Sequence, residues 1–122
     1  MSWSNITSNL IGTTGIALGT GQTNTTAIVG QITTVQLTCT SGAAYYCYNL
    51  TEGSYNDWFL PSKDELNKLY INRVAIGGFA DNLYWSSSEL SASNAWYQNF
   101  FDGYQYRLNK NYYLRVRAVR AF

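Results

Sequence analysis

Over residues 11–23 the chain shows no sustained apolar period, and Gly12, Gly15, Gly19 and Gly21 punctuate it, which predicts an extended or looped segment. Asn24 stands just ahead of Ala27, Ile28 and Val29 and predicts a short helix with Asn24 as its N-cap. Ala43, Ala44, Cys47 and Leu50 fall on one helical face, predicting a second helix over 42–50 with these four as its buried stripe. The clearest local signal follows. Trp58, Phe59 and Leu60 predict a short aromatic strand. Ser62 with Glu65 three residues later makes a capping box, and Pro61 is placed to pack on Leu66 as a staple. Asp64 and Glu65 suit the positive end of the helix dipole. This helix is expected to run to about residue 72, burying Leu66, Leu69 and Tyr70, with Gly77 and Gly78 closing the region. Strand patterns then appear at 84–88, 95–100 and 115–122, separated by loops carrying residues 91–94, Asp102 with Gly103, and residues 109–111. The fold class is α+β, with short helices packed on a small antiparallel sheet and long loops; there is no tandem repeat.

At 122 residues the chain fits one domain, 1–122. A hydrophobic fraction of 46% and an aromatic fraction of 16% are enough for a real core. Charged residues make up only 12%, about half the usual share, so Ser, Thr, Asn, Gln, Gly and Tyr must cover the surface. Extracellular proteins, virion proteins and antibody-like paratopes share that balance. The net charge is +1 and the one cationic cluster is Arg115, Arg117 and Arg120, which argues against nucleic acid as a partner. No apolar run is long enough to insert into a membrane, and no signal-peptide pattern is visible. Cys39 and Cys47 admit two readings, a disulfide or two small buried apolar side chains.

Catalytic chemistry is hard to find. The chain has no histidine, which removes the usual general base and the commonest zinc ligand. Nothing brings Glu89 and Asp102 together, and each reads as an ordinary surface or sheet-end acid. Gly19 and Gly21 lack the third glycine of a dinucleotide fingerprint and the lysine of a phosphate loop. No EF-hand pattern occurs. No catalytic residue, metal or cofactor is therefore expected. What stands out is an aromatic concentration: Tyr97, Phe101, Tyr104, Tyr106, Tyr112 and Tyr113, interleaved with Asn94, Asn99, Asn109 and Asn111. Trp85, Trp96 and Phe100 read as core anchors. The tyrosines sit beside Gly, Gln, Arg and Asn in loop-like surroundings, and composition favours a binding surface over a core for them.

Four segments together resemble a known family: residues 57–66 (Asp-Trp-Phe-Leu-Pro-Ser-Lys-Asp-Glu-Leu), 84–89 (Tyr-Trp-Ser-Ser-Ser-Glu), Ala95 with Trp96, and 115–120 (Arg-Val-Arg-Ala-Val-Arg). The family is the C-terminal domain of collagen-like bacterial adhesins, a branch of the C-type-lectin-like fold related to the formylglycine-generating enzymes. Residues 19–25 and the Cys39 and Cys47 region look typical of it too. Within it, residues 84–122 resemble the variable segment of proteins diversified by retroelements, in which template adenines are randomised during reverse transcription. Asparagine codons of the AAC type can then yield tyrosine, serine, aspartate, phenylalanine, leucine, arginine, alanine or glycine, but not lysine, glutamate, glutamine, methionine or tryptophan. The resemblance implies a ligand-binding set of Leu90, Ser91, Ser93, Asn94, Tyr97, Phe101, Asp102, Tyr104, Tyr106, Arg107, Leu108, Asn109, Asn111, Tyr112, Tyr113 and Leu114, with Ala92 also variable. Each carries a reachable type, whereas the unreachable Glu89, Trp96, Gln98, Gln105 and Lys110 fall at positions expected to be fixed. The enzymes of this fold use a late cysteine pair. No cysteine follows Cys47, so their activity does not carry over, and the lectin calcium motif is absent as well.

The resulting expectation is a receptor-recognition module on a phage tail-fibre tip or a bacterial surface, thus virion-borne or extracellular. Its partner would be a protein or glycan receptor, and homo-oligomerisation is compatible with it. A non-variable adhesin domain binding collagen, glycosaminoglycan or other polysaccharide is the alternative, and a small enzyme the third. Tyr97, Phe101, Tyr104, Tyr106, Arg107, Tyr112 and Tyr113 are expected to be exposed and close together, with Trp85, Trp96, Phe100 and Val116 buried.

Overall fold

A computed structural model describes residues 1–12, 14–30 and 38–121. Four helices precede three strands: α1 (Gly21–Gly30), α2 (Ala43–Asn49), α3 (Lys63–Ile71), α4 (Arg73–Ile76), β1 (Leu83–Glu89), β2 (Asn94–Asn99) and β3 (Gln105–Asn109). The strands form one antiparallel sheet in the order β1-β2-β3. This is the α+β layout expected.

Burial falls across the sheet. From Tyr84 to Glu89 every residue of β1 is buried, β2 is mixed, and no residue of the edge strand β3 is buried. The main core joins Trp3, Ile28, Ala43, Ala44, Cys47, Leu60, Trp85 and Ala95, so it lies between α1, α2 and the inner part of the sheet. A second cluster joins Leu66 of α3 to Tyr84 and Phe100, with Phe79 and Tyr70 around them; Tyr70 meets Phe100 edge-on at 5.5 Å between ring centroids.

A strand buried along its length needs partners for its polar side chains, and the three serines of β1 have them. Ser86 Oγ donates to the Trp96 carbonyl at 2.7 Å, Ser87 Oγ accepts from Asn24 at 3.1 Å, and Ser88 Oγ donates to the Gly15 carbonyl at 2.7 Å. Asn24 is therefore not the N-cap of α1. The helix already starts at Gly21, and the buried Asn24 amide instead binds Gly15, accepting from its N–H at 2.8 Å and donating to its carbonyl at 2.7 Å. Tertiary hydrogen bonds outweigh the local capping preference there.

The capping box of α3 is present in full. Ser62 Oγ accepts from Glu65 N, and Glu65 Oε1 accepts from Ser62 N at 2.8 Å. Ser62 Oγ also donates to the Ala17 carbonyl at 2.9 Å and Glu65 Oε2 accepts from Gly19 N at 3.0 Å, so the cap fastens the glycine-rich loop as well. Ser62→Ala is expected to cost about 1–2 kcal/mol in urea denaturation; an unchanged midpoint would show that the cap is dispensable.

Two strand expectations are corrected. Residues 58–60 form no strand, only a single bridge from Phe59 to Val119. Residues 115–121 are extended but join neighbours only at Arg115 and Val119, and Phe122 lies outside the described residues. The third strand is β3, in the stretch that reads as loop from its asparagines and glycine. Leu66 is buried as expected, while Leu69 and Tyr70 are half-buried. α2 buries Ala43, Ala44 and Cys47, with Leu50 half-buried.

Cys47 is a free thiol in the core, and burial pushes its pKa from 9.0 to about 12. Since the folded value is the higher one, the stabilisation it contributes is whole below pH 9.0 and is lost as pH rises towards about 12. Native protein at pH 8 is expected to resist iodoacetamide at Cys47 and to react once unfolded in about 8 M urea; peptide mapping by mass spectrometry reads this directly. Cys39 is buried too, its sulfur 3.7 Å from the Ser41 carbonyl.

Candidate functional site

The sequence places its aromatic concentration on the β2–β3 hairpin and on the turn after it. Register pairs Tyr97 with Tyr106, Trp96 with Arg107, Gln98 with Gln105, Ala95 with Leu108 and Asn94 with Asn109. Directly opposed residues share a face and alternate along the strand, so Tyr97 and Tyr106 lie on one face and Gln98 and Gln105 on the other.

The second of these faces is the support. Gln98, fully buried, donates to Asn67 Oδ1 at 2.9 Å and to the Gly103 carbonyl at 3.0 Å. Gln105 donates to the Lys63 carbonyl of α3 at 2.8 Å and to Gln98 Oε1 at 3.3 Å. Lys63 Nζ sits 4.4 Å from the Trp96 ring. Gly103 has φ 84° and lies against Tyr70: a Cβ there would come within 2.5 Å of that ring. Both constraints call for glycine at the hairpin turn.

On the other face Tyr104 and Tyr106 stack at 5.7 Å with 21° between their planes, and the Arg107 guanidinium, which the register puts on the Trp96 face, reaches to 5.7 Å from the Tyr106 ring. Tyr97 is half-buried beside them; burial first, then Tyr104, Asp102 and Tyr106, push its phenol above its ordinary pKa. Two side-chain acceptors hold the turn: Phe101 N donates to Asn99 Oδ1 and Tyr104 N to Asp102 Oδ1, each at 2.9 Å. Phe101 is 72% exposed.

The other end of the hairpin is held by a buried ion pair. Glu89 and Lys110 meet at 2.8 Å with side-chain exposures of 3% and 0%. Glu89 also accepts from Ile11 N at 3.1 Å and Gly12 N at 2.6 Å, while Lys110 Nζ donates to the Asn9 carbonyl at 3.3 Å and lies 4.5 Å from the Trp3 ring. Desolvation pulls the Lys110 pKa below its usual value, against the opposing pull of Glu89. Glu89 is thus a sheet-end acid as expected, but a buried one. Around the pair two loops converge. Leu90 N and Ser91 N donate to the Asn94 carbonyl, Lys110 N donates to the Ser93 carbonyl at 2.8 Å, and Asn111 N and Tyr112 N fold back on Asn109. Tyr112 and Tyr113 project from this turn, Tyr113 being 82% exposed.

The structure therefore groups the sequence-derived residues unevenly. Phe101, Asp102, Tyr104, Tyr106, Arg107, Asn109, Asn111, Tyr112, Tyr113, Leu90 and Ala92 are exposed. Ser91, Ser93 and Asn94 are half-buried and spend polar groups on the turn. Tyr97, Leu108 and Leu114 are half-buried and pack against the main core. The exposed set forms a strip along the sheet edge, not a pocket, and Phe101 and Tyr113 stand at its two ends, with β3 between them. Trp85 and Phe100 are fully buried, but Trp96 and Val116 are only half-buried, because Trp96 is on a face covered by Lys63 and Val116 is near an open groove. Composition does not reveal the supporting roles of Glu89, Lys110, Gln98 and Gln105; their signal in the sequence is that they are polar residues at positions the family resemblance expects to be fixed.

The sequence model of the Lcl C-terminal domain family matches residues 2–120. The chain belongs to that family. A search of curated proteins finds no match. Membership places the domain in the C-type-lectin-like group and is consistent with a surface-binding, adhesin-like module.

Proposed function

We propose that this Lcl C-terminal domain is a ligand-binding head, not an enzyme, whose recognition surface is the strip from Leu90 to Tyr113, diversified from copy to copy and carried on a phage tail fibre or a bacterial surface. The observation that carries the reading is a segregation of residue types. Glu89, Gln98 and Lys110 are buried and Trp96 and Gln105 half-buried, and they brace the hairpin from beneath. The exposed positions hold only types that adenine randomisation can produce. Exposure is what permits free change, since a close-packed interior feels even one methylene. Exposed tyrosines give contact area at low entropic cost, and the asparagines and serines around them give adaptable hydrogen bonding. A protein or glycan receptor on a cell surface fits such a strip.

The test is a pair of displayed libraries. One randomises Leu90, Phe101, Asp102, Tyr104, Tyr106, Arg107, Asn111, Tyr112 and Tyr113; the other randomises Trp96, Gln98, Gln105 and Lys110. The first is expected to stay folded in most members and to yield binders to unrelated surface proteins, the second to lose fold in most. Equal loss of fold in both libraries would reject the reading.

A further inference from the structure

The strip has a neighbour at its Leu90 end that lies outside the variable segment. Residues 9–12 are fastened to the buried ion pair beneath that end. Lys110 Nζ donates to the Asn9 carbonyl at 3.3 Å, and the two oxygens of Glu89 accept from Ile11 N at 3.1 Å and Gly12 N at 2.6 Å. Glu89 N in turn donates to Thr14 Oγ1 at 3.1 Å. Leu10 stands between these anchors. Its neighbour Ile11 is buried in the main core, whereas Leu10 is 52% exposed. Glu89 and Lys110 directly precede Leu90 and Asn111 in the chain. The pair that holds the hairpin therefore also brings Leu10 to the border of the strip. Trp3 N bonds the Lys110 carbonyl and Met1 bonds Leu114, so the N-terminal stretch leads away from this border along residues 110–114.

A single exposed leucine is ordinary. Three features set this one apart. It shares its border with Leu90, itself 41% exposed. The charges nearest to it, Glu89 and Lys110, neutralise one another in the interior. Its backbone is pinned on both sides, so covering it costs conformational freedom in the side chain alone. An apolar group on a fixed backbone is what an interface uses as an anchor.

We propose that Leu10 is a constant anchor of the recognition surface, presented by every diversified copy, and that the receptors are proteins which seat an apolar side chain against it. The assignment rests on the strip being the recognition surface. A glycan suits this end poorly: sugar hydroxyls pressed against an aliphatic side chain lose water and gain no hydrogen bond in return. Receptors of different copies then share one requirement at the Leu90 end and diverge towards Phe101.

The library randomised at the exposed strip positions is panned on immobilised lysozyme, serum albumin and dextran. Each enriched clone is remade with Leu10→Asp, with Leu10→Ala and with Tyr48→Asp, an exposed position at the C-terminal end of α2 beside Asn56 and Trp58. Surface plasmon resonance is expected to show the protein binders weakened at least about tenfold by Leu10→Asp and about fivefold by Leu10→Ala, and unmoved by Tyr48→Asp. Dextran is expected to enrich no clone. Protein binders indifferent to both Leu10 variants, or weakened as much by Tyr48→Asp, overturn the anchor and leave the strip standing. So does a thermal midpoint lowered by about 5 °C or more in Leu10→Ala, which would make Leu10 a packing residue. Enrichment on dextran as strong as on the proteins overturns the choice of a protein receptor. A folded library that yields binders to neither protein overturns the strip, and the anchor with it.

Discussion

Replacing Lys110 by methionine is expected to lower the unfolding free energy by about 3–5 kcal/mol, the largest stability effect of any single change considered. Lys110 Nζ is fully buried and has three anchors, the Glu89 carboxylate at 2.8 Å, the Asn9 carbonyl at 3.3 Å and the face of Trp3. Methionine fills the volume but leaves Glu89 charged in the interior. The N–H groups of Ile11 and Gly12 still reach that carboxylate, and they offset part of the loss. They also mean that removing both charges is not a neutral repair, because two N–H donors, that of the buried Ile11 among them, would then lose their acceptor. Urea denaturation of Lys110→Met, Glu89→Leu and the double variant at pH 7 measures this. A double variant as stable as wild type would show that the carboxylate is not what holds residues 11 and 12.

The combined replacement of Tyr104, Tyr106 and Tyr113 by alanine is expected to reverse that pattern. Any ligand selected on the strip should lose at least about 100-fold in affinity, about 2.7 kcal/mol. The thermal midpoint should fall by no more than about 5 °C, since exposed side chains contribute little to stability and the Tyr104–Tyr106 stack is worth about 1 kcal/mol. Were these rings core elements, each change would cost about 3 kcal/mol or more. Differential scanning calorimetry beside surface plasmon resonance on a selected ligand separates the two cases. A midpoint lowered by about 15 °C or more would place the tyrosines in the core's service and sink the recognition strip.

Legibility in the sequence followed the range of the interaction. The α3 capping box is local, four residues long, and could be read outright from Ser62 and Glu65. The stripe Ala43, Ala44 and Cys47 was equally readable from its spacing. β3 was missed although Gln105, Tyr106, Arg107, Leu108 and Asn109 alternate polar and apolar, because Asp102, Gly103 and the asparagines around it are turn signals. Residues 115–122 erred the other way: they alternate well, but a strand needs a neighbour, and the fold supplies one only at Arg115 and Val119. Asn24, Glu89 and Lys110 are polar residues whose partners lie up to 101 positions away, and no window along the chain could show them. Among the candidate site residues, exposure of the tyrosines could be inferred from composition. The half-burial of Tyr97, Leu108 and Leu114 depends on which face of the hairpin meets the core, a matter of register.

Met1 and Trp3 are bonded directly to the segment that ends the strip, Met1 to Leu114 and Trp3 N to the Lys110 carbonyl at 3.0 Å. Under tension this is a short circuit. A pull applied at Met1 while a ligand grips Tyr112 and Tyr113 travels through those few bonds and the Lys110 anchorage, shared with the bonds that tie Met1 and Trp3 to Trp85 and Ser86 of β1 and Trp3 to Ala43 of α2, and bypasses α1 and α3. Mechanical strength at the grip would then be set by a handful of hydrogen bonds and one ion pair, and would be nearly independent of how stable the helical half of the domain is.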